Sequence, residues 1–227
     1  MSVILVVAAH PDDEILGVGA TIARRVAEGD QAFALILGEG QTSRWENRKE
    51  ADCEVVSELH QDAIASSKII GYTDICFENL PDNRFDSVDL LDVIKLVEKY
   101  VKKIGPDVIY THHANDLNID HRVTCEAVLT ATRPIGDYKV KEIYEFETVS
   151  STEWNFGNRE KAFYPNVFVD VSDYFGTKCE AMKQYKSELC EFPHPRSLKM
   201  LEAVARRWGG IVGKELVEAF ELVRSVK

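Results

Sequence analysis

The chain has 227 residues, 45% of them hydrophobic and 29% charged, enough apolar sequence to bury a full core around one sheet. Against 27 Lys and Arg stand 38 Asp and Glu, a formal charge of −11 that disfavours attraction to phosphate backbones or anionic membranes, so no nucleic-acid partner is expected. No apolar run approaches the roughly 20 residues of a membrane span, and Met1-Ser2 leads straight into an aliphatic stretch with no basic n-region or cleavage site, the pattern of a cytoplasmic chain.

Val3 to Ala9 is a continuous aliphatic run that stops at His10-Pro11, and residues 15 to 28 then carry apolar side chains at helical spacing before Gly29-Asp30. That is strand, loop, helix. A second aliphatic run, Ala32 to Leu37, ends in Gly38-Glu39-Gly40; a charged helical stretch from about Arg44 to His60 follows and resumes after a break toward Ile70-Gly71. Ile75 to Leu80 reads as a short strand, and Val88 to Ile104 as an amphipathic helix ended by Gly105-Pro106, with Lys95, Lys99, Lys102 and Lys103 on its solvated face. Val108 to Thr111 is another buried-type strand, and helical spacing returns from 121 to 132, until Pro134. This alternation predicts an α/β fold, a Rossmann-like doubly wound, mostly parallel sheet with sites beyond its C-terminal strand ends. In the last third, Lys141 to Val149, Val167 to Val171 and Phe220 to Val226 read as strands, and 177 to 186 and 197 to 207 as helices. We read 1–227 as one domain, a Rossmann-like core over 1–135 with a C-terminal α/β extension over 136–227 that completes the site. The polar stretch Ser150 to Pro165, with Trp154 and Tyr164, reads as a lid or substrate loop. The five cysteines, at 53, 76, 125, 179 and 190, contain no CxxC pair and read as reduced thiols.

Two polar clusters carry the chemistry. His10-Pro11-Asp12-Asp13-Glu14 follows the first strand, and three carboxylates with an imidazole are not packing residues. His and Asp supply nitrogen and oxygen ligands that zinc accepts, and an adjacent carboxylate outside the ligand set is placed to deprotonate water. Capping of the next helix accounts for one carboxylate only. The second cluster, His112-His113-Ala114-Asn115-Asp116-Leu117-Asn118-Ile119-Asp120-His121, follows the strand at 108 to 111 and so lies on the same sheet edge. In extended chain, Asp116, Asn118 and Asp120 share a side. An EF-hand reading of D-x-N-x-D fails, because the required Gly position is His121 and the bidentate Glu position is Ala127. Gly17-Val18-Gly19-Ala20 is no dinucleotide loop, since its glycines fall inside a helix, after the acidic cluster. No GxSxG elbow is present.

Ala9 to Glu14 and the pair Asp120-His121, with Arg48-Lys49-Glu50-Ala51 between them as an altered RxxE helix, resemble the PIG-L/LmbE-type zinc-dependent N-deacetylases of acetylated amino sugars. The resemblance implies His10, Asp13 and His121 as metal ligands, Asp12 as general base and Asp120 as a partner behind the ligands. It further implies that Glu39, Arg48 and Asp82 line a sugar pocket. Many members read HPDH where this chain has Asn118-Ile119-Asp120-His121. An amide donates hydrogen bonds but is no general acid, so His113 or His194 is the candidate for the missing imidazole, with Asn118 the alternative oxyanion donor. The D-x-N-x-D-H form, with Pro193-His194-Pro195-Arg196-Ser197 and Ala219-Phe220, looks like a bacterial subgroup.

The expectation is therefore a zinc-dependent hydrolase, with Fe2+ or another divalent metal as alternative. It removes an N-acetyl group from an amino sugar or glycoconjugate of N-acetylglucosamine type, free or linked to lipid or nucleotide, and the resemblance suggests a homo-oligomer. The competing readings are a metal hydrolase of another amide or ester, and an inactive Rossmann-like binding protein. On helix and loop chemistry alone, Arg48 also fits a solvated helix face, Glu39 a cap, His194 a turn residue, and Trp154 and Trp208 core or interface.

Overall fold

The computed structural model describes residues 1–50, 53–136, 140–157 and 162–227, and the backbone but not the side chains of Lys49 and Cys53. The first strand, β1 (Val3–Ala8), is followed by α1 (Asp13–Ala27), β2 (Gln31–Gly38), α2 (Cys53–Ile70) and β3 (Asp74–Leu80). Next come α3 (Leu90–Ile104), β4 (Val108–His112), α4 (Ile119–Ala131) and β5 (Glu142–Phe146). The C-terminal part supplies β6 (Val167–Asp170), α5 (Phe175–Met182), α6 (Leu198–Val212) and β7 (Val217–Ser225). The strands form one sheet in the order β3-β2-β1-β4-β5-β7-β6. The first five run parallel, while β7 pairs antiparallel with both β5 and β6.

Both faces of the sheet are covered, and the strand sequences show why. Along β1, Ile4 and Val6 pack with α1, α2 and α5, whereas Leu5 and Val7 pack with α3 and α4. Successive side chains point to opposite faces, so an unbroken aliphatic run is what a doubly covered strand requires. β1 lies between β2 and β4, so the chain order reverses there and the loops leaving β1 and β4 open a crevice at their C-terminal ends. Among the described residues, no helix is long and apolar enough to cross a membrane, and Cys76, Cys125, Cys179 and Cys190 are free thiols.

The structure corrects several element boundaries. The stretch expected to be helical from Arg44 forms two 3-10 turns, Thr42–Arg44 and Arg48–Glu50, before α2 starts at Cys53. Left-handed backbone at Gly40 and Gln41 starts that excursion, and the Ser43 N–H is held by Asp82 Oδ2 at 2.9 Å. Ala51, the end of the RxxE-like stretch, lies outside the described residues. α2 then runs to Ile70 without the expected break, β7 starts at Val217 rather than Phe220, and α5 ends at Met182. The capping expectation for α1 also fails: Asp12 sits at its N-cap but makes no side-chain cap bond. Gly17 has a packing role, because a Cβ there would overlap the Phe146 ring.

Candidate functional site

The loop after β1 and the start of α4 bring the two polar clusters together. His10 Nδ1 and His121 Nε2 each lie 3.3 Å from Asp13 Oδ2, and the ligand atoms of these three residues all fall within 4.8 Å of one another. Asp13 is anchored by the backbone N–H of His10, which donates to its Oδ2 at 2.9 Å.

The far side of each imidazole faces a buried carboxylate. His10 Nε2 is 2.9 Å from Asp120 Oδ2. Asp120 also accepts the backbone N–H groups of Asn83 at 2.6 Å and Phe85 at 2.9 Å, so it is an acceptor and the His10 proton sits on Nε2. In the neutral ring Nδ1 then carries the lone pair on the Asp13 side, where a cation would take the place of a proton. His121 Nδ1 lies 3.1 Å from Asp116 Oδ1, an ion-pair approach without an aligned hydrogen bond. Asp116 in turn accepts from Thr152 Oγ1 at 2.5 Å, the Asn118 N–H at 2.8 Å and the Ser151 hydroxyl.

This arrangement draws positive charge. Burial alone would depress His121, but Asp13 and Asp116 outweigh it and raise its pKa to about 9. His10 is likewise raised against burial, by Asp120 and Asp13. Burial pushes Asp13 up, yet the charge of His121 and the hydrogen bonds of His10 and His121 hold it well below the ordinary carboxylate range. Two imidazoles that gather protons around one carboxylate, each braced by a second carboxylate, form a donor set that fits a divalent cation.

Asp12 adjoins this group. Its backbone is left-handed at φ 106°, a conformation that costs a non-glycine residue of order 1 kcal/mol or more. Its N–H donates to Glu14 Oε2 at 3.0 Å, and the Tyr185 hydroxyl donates to Glu14 Oε1. Burial and then the charges of Asp13 and Glu188 push the Asp12 carboxyl well above its usual range, opposed by Arg196. Asp12, Gln41, Asn83 and Ser150 are the non-glycine residues with positive φ among those described. All four line the same cleft of about 260 Å3, together with His10, Asp13 and His121. Backbone strain is thus concentrated at this site.

The cleft wall was only partly anticipated. Asp82 lines it, 3.3 Å from His10 Nε2. Glu39 and Arg48 do not: Arg48 donates from Nε to Glu39 Oε1 at 2.6 Å and from Nη2 to Oε2 at 2.9 Å, and Thr42 Oγ1 donates to Oε1 at 2.6 Å. The pair braces the turn that presents Gln41 and Arg44. Arg44, Glu188 and Arg196 also line the cleft, residues to which no local motif assigns a role. Glu188 and Arg196 come from the C-terminal part, more than 140 residues from Arg44 in the chain.

The imidazole candidates are corrected. His113 turns to the other face of β4, with Nδ1 3.0 Å from Glu145 Oε2 and 3.4 Å from Glu221 Oε2, and it does not line the cleft. His112 is the histidine beside the site, its ring stacked on His121 at 3.9 Å between centroids. Its Nε2 accepts the Ala9 N–H at 2.9 Å, and its Nδ1 therefore carries the proton toward Thr148 Oγ1 at 3.1 Å. Burial and then His121 lower its pKa to about 3, so it is neutral packing. The strand parity it shares with Tyr110 was the available signal. His194 lies outside the lining; its Nδ1 accepts the Arg196 N–H at 3.1 Å and its ring meets Trp154 edge-on. Asn118 lines the cleft but is committed as the cap of α4, accepting the Asp120 N–H at 2.8 Å and donating from Nδ2 to Asn83 Oδ1 at 3.0 Å. The described part of the 150–165 loop splits, with Ser150 and Ser151 in the cleft and Phe156 and Tyr164 exposed to solvent; residues 158–161 lie outside the described chain.

Comparison with known proteins gives the fold and the family. A protein of Escherichia coli strain K12 described as the uncharacterized deacetylase YaiS is 30% identical over 190 residues, covering 81% of this chain and 90% of its own. The N,N'-diacetylchitobiose deacetylase of Pyrococcus horikoshii shares the fold with a TM-score of 0.79 at 17% identity, over 98% of this chain and 84% of its own. GalB, the 4-carboxy-2-hydroxymuconate hydratase of Pseudomonas putida KT2440, does so with 0.75 at 20% identity, over 100% and 97%, so the fold alone does not choose the reaction. The family model for PIG-L, GlcNAc-PI de-N-acetylase, matches residues 5–132, a span that holds both polar clusters, and the chain belongs to the PIG-L family.

Proposed function

We propose that the protein is a metal-dependent N-deacetylase that releases acetate from an N-acetylated amino sugar or a glycoconjugate carrying one. The observation that supports it most is the convergence of His10, Asp13 and His121 beside the strained, buried Asp12 in one cleft. His10, Asp13 and His121 would hold the cation, and the two-nitrogen, one-oxygen donor set suits zinc, with iron(II) as alternative. When bound, such an ion polarises the amide carbonyl and acidifies water.

The chain's own groups do the rest. Asp12 takes the proton from the attacking water and returns it to the departing nitrogen, which makes a separate histidine acid unnecessary. Its raised proton affinity, set by burial and the charges of Asp13 and Glu188, suits a group that takes up a proton and passes it on. Asp120 holds the tautomer and orientation of His10, and the Asp116 carboxylate stands behind His121 as its charge partner. Amine and acetate are the products, and no covalent enzyme intermediate forms.

The test is acetate release from a panel of N-acetylglucosamine derivatives by zinc-loaded protein and by Asp12→Asn. Loss of about 10³-fold or more in kcat with metal content unchanged is expected. Full activity in Asp12→Asn overturns the base assignment. Absence of acetate with hydrolysis of other amides or esters moves the reaction to another bond, and absence of all turnover favours a binding protein.

A further inference from the structure

A second group of ligand-type side chains stands on the other side of β4 from His112. Glu145 of β5 and Glu221 of β7 are register partners in an antiparallel pair, so their carboxylates share one face directly opposite each other. Like charges so placed destabilise a sheet unless positive charge separates them. Glu145 is buried and Glu221 is 22% exposed. His113 extends the pairing of β4 with β5, its N–H donating to the Phe146 carbonyl at 3.1 Å. Its Nδ1 faces both carboxylates, 3.0 Å from Glu145 Oε2 and 3.4 Å from Glu221 Oε2.

Both carboxylates are held in that pose. Each turns Oε2 to His113 and gives Oε1 to another donor, the Cys125 thiol at 3.4 Å for Glu145 and the Tyr164 N–H for Glu221. The Ala114 N–H also donates to Glu145 Oε2 at 3.0 Å, and the Phe163 ring packs edge-on against His113. Among the described residues, no Lys or Arg pairs with Glu145 or Glu221. An imidazolium at His113 would offset one of the two negative charges, whereas a divalent cation on a neutral imidazole offsets both. The three donor atoms lie within 4.8 Å of one another. The spacings of 3.0 and 3.4 Å approach the edge, about 3.4 Å, of a tetrahedron whose ligands stand about 2.1 Å from its centre.

We infer that His113, Glu145 and Glu221 form a second divalent-cation site, separate from the set of His10, Asp13 and His121, that takes zinc in exchange with solution. Imidazole suits zinc better than carboxylate does, so one nitrogen and two oxygens hold the ion less tightly than two nitrogens and one oxygen. Glu221 also leaves the site open to solvent on one side. The site therefore fills at micromolar free zinc and empties on gel filtration, and an ion there ties the end of β4 to β5 and β7. The experiment is zinc calorimetry on gel-filtered, zinc-loaded wild type and on His121→Ala, in which the cleft set is broken. Each is expected to take up one exchangeable equivalent with micromolar affinity. Glu221→Gln and His113→Gln, introduced separately into both backgrounds, should weaken that equivalent at least about tenfold, with circular dichroism reporting that each variant is folded. Glu221→Gln changes a partly exposed side chain at constant volume, so it remains a test if His113→Gln does not fold. No exchangeable equivalent up to about 0.1 mM free zinc, or one whose affinity is unchanged in folded Glu221→Gln, overturns the inference.

Discussion

Replacing Asp120 by Asn changes almost no volume and removes the acceptor that orients His10. Three donors converge on this carboxylate, His10 Nε2 and the Asn83 N–H on Oδ2, and the Phe85 N–H on Oδ1. An amide keeps one oxygen, so one side is left facing an NH2 group. If the oxygen stays with His10, the buried Phe85 N–H loses its partner, at about 1–3 kcal/mol. If it turns to Phe85, the amide donates to His10 Nε2, the ring proton moves to Nδ1, and the lone pair facing Asp13 is lost. Loss of such a supporting partner lowers metal affinity about 10–100-fold, which is about 1.4–2.8 kcal/mol. Asp120→Asn therefore pays in stability or in metal binding, and the two are read separately by urea denaturation of the metal-free protein and by chelator competition for zinc. An unchanged urea midpoint together with zinc affinity within twofold of wild type would refute the orienting role.

Three further outcomes follow from the packing and charge pairs. Gly17→Ala forces a methyl into the Phe146 ring and should lower stability by about 1–3 kcal/mol, seen as a reduced urea midpoint at unchanged slope; wild-type stability would mean that α1 and β5 separate freely. Lys178 Nζ is 2.6 Å from Glu218 Oε1, both buried, and Lys178→Met leaves that carboxylate without its partner, at about 3–5 kcal/mol. The double variant with Glu218→Gln should recover part of the loss, and a strictly additive double variant would contradict the pairing. Burial raises Glu39, but the Arg48 and Thr42 bonds outweigh it and leave it below the ordinary 4.5. The stabilisation it lends the 40–44 turn is then full above that value and lost as the pH falls through the lowered one. A carbon-detected NMR titration should show Glu39 moving back up in Arg48→Gln, and no movement would detach the two residues.

How much of this was legible in the sequence depended on the range of the interactions. The uninterrupted aliphatic runs Val3 to Ala8 and Ala32 to Leu37 announce strands covered on both faces, and the polar residues directly after β1 and β4 announce a shared edge. Those two signals put the two polar clusters at one edge, and the family resemblance singles out His10, Asp13 and His121 within them. The 41–50 turns were not legible, because their charged residues keep helical spacing while left-handed backbone at Gly40 and Gln41 breaks the helix. Choosing His113 overlooks strand parity, which puts His112 on the side of Tyr110, where its ring packs against Phe146 of β5. The contacts of Glu188 with Arg44, of Arg196 with Asp12 and of Lys178 with Glu218 span 40 residues or more, which no local pattern encodes. Asp116 stood in the noted D-x-N-x-D run, but its contact with His121 arises only from the start of α4.

The central claim is that His10, Asp13 and His121 form one cation site next to a base that is not a ligand. The most direct test is elemental analysis of wild type, His121→Ala and Asp12→Ala after zinc loading and gel filtration. The account predicts about one zinc per chain in wild type and in Asp12→Ala, and loss of most of it in His121→Ala. Full zinc in His121→Ala, or loss of zinc in Asp12→Ala alone, would contradict it.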